Sequence, residues 1–284
     1  MEFKTLEGTD INDILNAFNK SFSDYFIPFK LTREQLILKM TADKTDLNLS
    51  VGVFKNGNLI AFILHGFDIV DNQKLVYNGG TGVIPEKRGI GLTLQMYLFI
   101  LPSLKEKGID RIMLEVIDKN IPAIKSYEKS GFNMKRALVC YKGNVDIMKT
   151  NKKIEIKELK SYHWKQLESF WDILPTWQNS NHVLNKLKLD LISLGAYFKN
   201  ELVGYVIYNP TTRRVQQIAV NKDHRKKRIA STLIDSLTNK FGTTISIINV
   251  DKKSKSVNDF FKKIGLENNL EQLEMELKLN KITN

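Results

Sequence analysis

The sequence has little of what metal-dependent and disulfide-stabilised proteins rely on. Its 284 residues include one cysteine, Cys140, which excludes an internal disulfide and a cysteine-ligated metal cluster. The four histidines form neither an HExxH motif nor a closely spaced pair, which argues against a zinc enzyme. No run of about 18 apolar residues occurs, and the amino terminus lacks the apolar stretch of a signal peptide. We therefore expect a soluble, cytoplasmic protein that binds no metal and does not span a membrane.

What is present indicates a globular, basic protein. Hydrophobic residues make up 42% and aromatic residues 10% of the chain, enough to bury a sizeable core. Lysine and arginine number 43 against 31 acidic residues, a net charge of +12. Residues 1–150 hold 20 basic and 17 acidic side chains, whereas residues 151–284 hold 23 and 14. An anionic partner such as nucleic acid is therefore a possibility for the second half only.

The chain reads as one pattern of strands and helices written twice, with a boundary near Thr150. Each half has a short strand, two helical stretches, a hairpin, a strand–loop–helix segment, a buried strand, a further helix and closing strands. Thr32 with Gln35 predicts a capping box, and Asn56-Gly57 predicts a hairpin turn. We therefore predict two tandem α/β domains, 1–150 and 151–284. Each is a central mixed sheet, mostly antiparallel, flanked by helices and containing one βαβ crossover.

The predicted strand–loop–helix segment of the first half carries the strongest chemical signal. Its sequence, residues 82–92, is GVIPEKRGIGL. Backbone N–H groups at a helix start lack partners and carry partial positive charge, and glycines let a phosphate approach them closely. Arg88 adds a cation whose fork suits phosphate oxygens. We therefore predict an anion site, although the same G-x-G spacing also fits a tight turn without a ligand. Neither a Walker loop nor a dinucleotide fingerprint matches.

A second motif follows downstream, and the two together resemble the GNAT superfamily of acetyl-CoA-dependent N-acetyltransferases. That family has V-x-P-x-x-R-G-x-G before its pyrophosphate-binding helix and N-x-x-A-x-x-x-Y-x-x-x-G-F over the next helix. The matching segments here are VIPEKRGIG, residues 83–91, and NIPAIKSYEKSGF, residues 120–132. One departure is Glu86, where the family commonly has Gln or Arg three residues before the first loop glycine.

The resemblance implies a role for each matching residue. The backbone amides of Arg88, Gly89, Ile90, Gly91 and Leu92 would bind the coenzyme A pyrophosphate. Val83 would hydrogen-bond the pantetheine arm, and Asn120 would contact it or position its neighbours. Tyr127 would be the general acid that protonates the departing thiolate. Tyr127 also fits an ordinary core position, and Asn120 also fits a helix N-cap.

No residue identifies itself as the general base. Glu115, in the middle of a predicted strand, reaches the site through water in one interpretation and pairs with a lysine in the other. Asp24, Tyr25 and His65 are weaker candidates, and solvent could also take the proton. The resemblance places an acceptor pocket at residues 22–29, where three Phe and one Tyr surround a proline, although a loop pinned to the core fits equally well.

The second half keeps the pattern and loses much of the chemistry. Its loop, residues 220–231, has Arg225 at the family's leading Gln/Arg, but Arg228 and Ala230 at the two glycine positions. Phe261 stands at the tyrosine position and cannot donate a proton, and Ser254 stands at the asparagine position. We therefore predict a degenerate second domain. Its cationic loop suits an anion, but no RRM or helix-turn-helix motif accompanies the charge.

We expect, on this resemblance, an N-acetyltransferase that transfers an acetyl group from acetyl-CoA to a primary amine of a small molecule or peptide. The active site would lie in the first half, and the chain would be a monomer, as an internal pseudo-dimer, or a homodimer. Two alternatives stay open: a non-catalytic acyl-CoA-binding or sensing protein, and a basic protein associated with nucleic acid. The sequence does not identify the amine.

Overall fold

The computed structural model describes residues 1–25, 30–147 and 149–279, which divide into two compact units. Unit 1 holds Met1–Lys135 and the chain from Leu273, and unit 2 holds Arg136–Gln272. Half of the segment predicted to form the acceptor pocket, residues 26–29 of 22–29, lies outside the described residues. No helix among the described residues is both long enough and apolar enough to cross a bilayer.

The elements alternate between strands and helices in both units. In chain order they are β1 (Glu2–Thr5), α1 (Ile11–Ser21), α2 (Arg33–Ala42), β2 (Val51–Lys55), β3 (Asn58–Val70), β4 (Gln73–Val83), α3 (Leu92–Glu106), β5 (Arg111–Ile117), α4 (Ile121–Lys129), β6 (Asn133–Asn144), β7 (Glu155–Glu158), α5 (Trp164–Glu168), α6 (Asn181–Lys186), β8 (Ile192–Phe198), β9 (Glu201–Asn209), β10 (Arg214–Val220), α7 (Ile229–Phe241), β11 (Thr244–Asp251), α8 (Lys255–Lys263) and β12 (Glu267–Lys278).

Unit 1 is a sheet in the order β1-β2-β3-β4-β5-β12, with helices on both faces. Helices α3 and α4 pack on one face, in a core that includes Met96 and Ile124. Helices α1 and α2 pack on the other, in a core that includes Phe18 and Leu36. The parallel pair β4–β5 is in register only from Leu75 to Tyr77, so the two strands separate beyond that point.

Unit 2 repeats this architecture in the order β6-β11-β10-β9-β8-β7. Helices α7 and α8 pack on one face of its sheet, and α5 and α6 pack on the other. The parallel pair β10–β11 is in register at Arg214 and Val215 alone before it separates. Each unit therefore opens a cleft between its two parallel strands, beside the loop that leads to α3 or α7.

Local sequence signals were accurate at the turns and caps. The Thr32 hydroxyl accepts from the Gln35 amide, and the Gln35 side chain accepts from the Thr32 amide, so the capping box is confirmed. Asn56 and Gly57 have φ values of 51° and 76° in the β2–β3 hairpin, so the predicted turn is confirmed. In the second half the sequence pattern predicts helices over residues 164–171 and 183–191, and both helices end earlier than predicted. Residues 164–171 form a helix only to Glu168, and α6 ends at Lys186.

The compact units differ from the sequence repeat in where the closing strands belong. Residues 136–144 of β6 pair with β11 and count with unit 2, although they precede the predicted boundary. From Leu273, β12 counts with unit 1, where Met275 and Leu279 join the core around α3. The boundary near residue 150 describes the repeat in sequence and stays a prediction for the domains.

Candidate active site in the cleft of unit 1

The loop between β4 and α3 has the geometry of an anion site. Gly89 and Gly91 have φ values of +78° and +77°, in the left-handed region that glycine adopts without strain. Within the described part of the chain, the amides of residues 89–94 donate to no acceptor, whereas the Arg88 amide donates to the Pro85 carbonyl at 3.2 Å. The row of available N–H groups therefore begins one residue later than predicted and extends into the first turn of α3.

The side chain of Arg88 holds this loop in place. Its guanidinium donates to both carboxylate oxygens of Asp24 at 2.7 Å, to the Ser21 carbonyl at 2.9 Å and to the Val83 carbonyl at 3.2 Å. The hydrogen bonds from Arg88 lower the pKa of Asp24, and the same pair raises the pKa of Arg88. The fork that was expected to suit a phosphate therefore joins the loop to the end of α1 and to the end of β4.

The same arrangement occurs in unit 2. Arg225 donates to the Val220 carbonyl at 3.3 Å and to the Phe170 carbonyl at 3.0 Å, and it pairs with Asp172 at 2.8 Å. Each arginine is held by three groups of its own unit. They are the carbonyl at the end of a strand, a carbonyl at or just after the end of a helix, and the carboxylate of an aspartate two or three residues further along the chain. The two loops can therefore be compared residue by residue, with Arg225 equivalent to Arg88.

The equivalence of Arg88 and Arg225 changes how the first loop is aligned with the second loop and with the family motif. Lys226 and Arg228 take the places of Gly89 and Gly91, and both retain the left-handed conformation, with φ values of 59° and 62°. In this alignment Arg88 corresponds to the family's leading Gln or Arg. It contacts the end of α1 and lies three residues before Gly91. The apparent departure at Glu86 disappears, because Glu86 does not occupy the position of the family's Gln or Arg.

Tyr127 belongs to a buried polar network on the α3–α4 face of the cleft. The Asn78 amide donates to the Thr81 hydroxyl at 2.7 Å and to the Tyr97 hydroxyl at 2.8 Å. Burial raises the pKa of Tyr127 to about 12, against the smaller opposing effect of hydrogen bonds with Thr81 and Asn78. The Tyr127 hydroxyl thus keeps its proton at neutral pH, and Thr81 and Asn78 lie near it where β4 leaves β5.

Asn120 caps a helix, which is one of the two roles that the sequence left open, and its contact with a pantetheine arm stays a prediction. Its side-chain oxygen accepts from the Ala123 amide at 3.3 Å, so it caps α4. Its amide nitrogen donates to the Tyr25 hydroxyl at 3.5 Å. The Tyr25 hydroxyl also contributes to the raised pKa of Tyr127, so Tyr25, Asn120 and Tyr127 lie around one point of the cleft.

Glu115 faces the other side of the sheet from Tyr127. Its neighbours Leu114 and Val116 belong to the core of α3 and α4, and alternate residues of a strand point to opposite faces. The Tyr77 hydroxyl donates to the Glu115 carboxylate at 2.6 Å.

Two of the weaker candidates for the base, Asp24 and His65, have structural roles. Asp24 is paired with Arg88, as described above. His65 is fully buried, and its Nδ1 lies 2.7 Å from the Leu49 carbonyl. Burial lowers the pKa of His65 to about 4, which the hydrogen bond with Leu49 opposes. Within the described residues no three His, Cys, Asp or Glu side chains are grouped as metal ligands.

Sequence reasoning missed Asn78, Thr81 and Tyr97. A signal was available in residues 78–82, NGGTG, because glycines inside a strand mark a bulge or a close approach of another group. The structure has both. Gly79 is the extra residue of a bulge against β3. A Cβ on Gly82 would lie 2.4 Å from the Phe62 ring.

The comparisons with known proteins agree with this geometry. The family model described as "Acetyltransferase (GNAT) family" matches residues 11–132 and 156–266. A GCN5-related N-acetyltransferase from Sphaerobacter thermophilus is 12% identical, with a TM-score of 0.73 over 98% of this chain and 95% of its own. A tandem GNAT protein from the clavulanic acid biosynthesis pathway is 10% identical, with a TM-score of 0.71 over 98% of each chain.

One curated relative shares a short segment. The mycothiol acetyltransferase of Thermobispora bispora is 39% identical over 61 residues, which cover 22% of this chain and 21% of that protein. The match spans about a fifth of the relative's length. The two structures show the fold, and the family model covers both halves of the sequence. The chain therefore belongs to the GNAT acetyltransferase family, with two tandem GNAT domains.

Proposed function

We propose that the protein is an N-acetyltransferase that transfers an acetyl group from acetyl-CoA to a primary amine, with its active site in the cleft of unit 1. The observation that carries the proposal is the combination of a glycine loop with available amides and a protonated Tyr127 at the mouth of the same strand pair. The amides of residues 89–94 would hold the coenzyme pyrophosphate, since no Cβ obstructs the backbone at Gly89.

Residues of this chain would supply a proton and would position the reacting groups. The neutral amine attacks the thioester carbonyl carbon, the C–S bond breaks and the thiolate takes the proton held on the Tyr127 oxygen. Asn78 and Thr81 orient that hydroxyl, and Arg88 keeps the loop at the end of β4. Asn120 and Val83 lie beside the path proposed for the pantetheine arm. The nitrogen loses one proton as the amide forms, and Glu115, on the opposite face, would accept that proton through water. Solvent then returns a proton to the Tyr127 oxygen.

A turnover assay on the full chain tests this proposal. Acetyl-CoA is mixed with a panel of small amines and peptides, and the released thiol is measured for the wild type and Tyr127→Phe. We expect kcat to fall by about 100-fold or more, as for loss of a general acid, with little change in affinity for CoA. Tyr208→Phe is the matched control, because Tyr208 is a buried tyrosine of unit 2 whose hydroxyl has no partner within the described residues.

Three results would contradict the proposal. Unchanged turnover in Tyr127→Phe would reject the role of that tyrosine. CoA binding without turnover of any amine would favour the acyl-CoA-binding alternative. Binding to DNA or RNA that weakens steeply with salt, without acetyl transfer, would favour the nucleic-acid alternative.

A further inference from the structure

Unit 2 contains a cavity of about 1100 Å³ at the position that corresponds to the cleft of unit 1. It is lined by residues of β10, β11, α7 and α8 and by the segment between α5 and α6. Pockets for small molecules usually measure about 300–1,000 Å³, so this one can hold a ligand larger than an acetyl group. A smaller cavity in unit 1, of about 310 Å³, is lined by Asp46, Asn48, Leu49, Phe67, Lys74, Lys107 and Ile109.

The strands around the cavity explain why it is open. The β10–β11 pair is in register at only two positions, and β11 has an irregularity against β6 between Ile247 and Val250. Asn249 has a φ of +62° at that irregularity. The lining includes Phe170 and Tyr205 from one face of the sheet and Phe261 from the other. The cavity therefore passes between the separated strands.

The interior of this cavity is apolar at the positions where unit 1 has its polar network. The bulge residue is Gly79 in β4 and Gln216 in β10. Each lies nine residues before the arginine of its loop, so the two segments align without a gap. In this alignment the network residues of unit 1 correspond to four apolar residues of unit 2. In the order Asn78, Thr81, Tyr97 and Tyr127 they become Val215, Ile218, Ile234 and Phe261.

Three of these apolar residues, Val215, Ile218 and Phe261, line the cavity directly. A group placed among them meets no proton donor at the position of the Tyr127 hydroxyl. Such surroundings favour an alkyl or aryl body over a reacting thioester, because an unpaired polar group buried there would lose its hydrogen bonds to water. The lining also holds buried polar residues, among them Asn179, Gln217 and Asn249, so the preference for an apolar body belongs to the part of the cavity beside Val215, Ile218 and Phe261.

The rim of the cavity has the opposite character. Five lysine and arginine residues contribute to the lining, against three aspartates. One of those aspartates, Asp172, is already paired with Arg225. Lys226 and Arg228 stand where unit 1 has its loop glycines, directly before the 13-residue helix α7. An anionic group at this rim would meet two side-chain cations and the positive end of a helix dipole.

From this distribution we infer that unit 2 is a non-catalytic binding site for an amphipathic anion, with an apolar body inside the cavity and a carboxylate or phosphate head beside Lys226 and Arg228. The inference is independent of acetyl transfer in unit 1. Lys226 and Arg228, which replace the two loop glycines of unit 1, would supply the positive charge for the head group. The apolar residues that replace the polar network of unit 1 would contact the apolar body.

Tryptophan fluorescence of the full chain gives a direct readout. All three tryptophans lie in unit 2, and Trp171 lines the cavity. The probes are hexanoate, octanoate, decanoate, decyl phosphate and CoA, titrated below their micellar concentrations. We expect the affinity of the fatty acids to rise by about fourfold for each added methylene, as burial of a CH₂ group predicts. Comparison of decanoate with decyl phosphate identifies which head group the rim prefers.

Two variants test the two parts of the site. Lys226→Ala with Arg228→Ala should weaken decanoate binding by about tenfold or more, through loss of charge-assisted contacts. Val257→Trp should fill the cavity from its half-buried edge and abolish binding of the long chains. Lys152→Ala with Lys153→Ala, exposed lysines outside the lining, is the control and should bind decanoate as the wild type does.

Several outcomes would overturn the inference. An affinity that does not depend on the length of the fatty acid would contradict binding of an apolar body in the cavity. An affinity that the double alanine variant leaves unchanged would contradict binding of an anionic head group by Lys226 and Arg228. CoA bound as tightly as decanoate would indicate a second coenzyme site. Absence of binding by every probe, with the wild-type fold verified by circular dichroism, would reject the site.

Discussion

Burial keeps two ionisable side chains of unit 1 uncharged at neutral pH. It raises the pKa of Tyr127 to about 12 and lowers that of His65 to about 4. Tyr127 has polar neighbours that orient its hydroxyl, as a proton donor requires. The imidazole ring of His65 has one hydrogen bond, to the Leu49 carbonyl, and its Nε2 has no partner among the described residues. The first residue suits chemistry, and the second contributes to the stability of the fold.

We predict that His65 makes the protein sensitive to acid. The unfolded chain takes up a proton at the ordinary histidine pKa of about 6.5, whereas the folded chain resists it down to about 4. Stability from this residue is therefore complete above pH 6.5 and is lost as the pH falls toward 4. The loss in free energy of unfolding between pH 7 and 4 should be about 3 kcal/mol.

Urea unfolding at several pH values checks this prediction. His65→Gln should lack this part of the pH dependence. His163→Gln, at an exposed position of unit 2, should keep it. An identical acid profile in wild type and His65→Gln would contradict the assignment.

We also predict that Asp24 positions the loop between β4 and α3 through Arg88, and that this loop binds acetyl-CoA. Asp24→Asn removes the carboxylate that accepts both terminal nitrogens of the guanidinium. The KM for acetyl-CoA should rise by about tenfold, comparable to the loss of a charge-assisted hydrogen bond, with a smaller change in kcat. Asp172→Asn breaks the equivalent pair in unit 2 and should leave KM unchanged. Equal effects of both variants would mean that the pairs act only on stability.

At the scale of elements, the loops before α3 and α7 show that one backbone conformation can present either backbone amides or charged side chains. Both loops place left-handed residues at the first and third positions after the pinned arginine. Glycine at these positions exposes amides to a ligand, whereas lysine and arginine project charge from the same backbone. A non-glycine residue in this region costs about 1–2 kcal/mol, so unit 2 retains strain that favours a role for its cations.

A graft of the second loop onto the first tests this interpretation. Gly89→Lys with Gly91→Arg should weaken CoA binding by about tenfold or more, because side chains then obstruct the amides. The fold should survive, since an added Cβ meets nothing within 4 Å at Gly89 and only the Gln95 side chain, at 3.8 Å, at Gly91. Isothermal titration with CoA measures the change.

Gly57→Lys is the control for strain in the graft experiment. Gly57 has a φ of +76° in the β2–β3 hairpin turn, outside the glycine loop, with open space around it. This variant should lose similar stability per residue and keep its CoA affinity. A graft that binds CoA as tightly as the wild type would show that the backbone amides do not hold the coenzyme.

At the scale of the whole molecule, the last strand completes the core of the first unit. Met275 is 1% exposed and packs in the cluster that contains Tyr97 and Tyr127. Glu276 pairs with Arg111 at 3.1 Å. The stability of the candidate active site therefore depends on residues almost 150 positions downstream of it.

We predict that Met275→Ala destabilises unit 1 by about 3 kcal/mol, through the loss of buried area and the cavity it leaves. Hydrogen exchange of peptides from β4 and β5 reports unit 1, whereas tryptophan fluorescence reports unit 2 because all three tryptophans lie there. Met134→Ala, at a methionine that is 61% exposed, should change exchange in β4 and β5 little. Equal protection in both variants would contradict the assignment of β12 to this core.

Sequence alone determined the features that depend on a few consecutive residues. The Thr32 capping box, the Asn56-Gly57 turn and the helix that follows the glycine loop each rest on local backbone chemistry. The repeat was also predictable from sequence, because the same order of strands and helices recurs in both halves, with turn residues between them. The tandem GNAT fold followed from two spaced motifs.

Tertiary structure decided what depends on residues far apart in the chain. It engaged Arg88 with Asp24, surrounded Tyr127 with Asn78 and Thr81, and turned Glu115 to the opposite face of the sheet. It also assigned each closing strand to its unit and opened a cavity in the half that had seemed only degenerate. The physical reason is that strand register, burial and the separation of parallel strands are set by packing between distant segments, which no local pattern specifies.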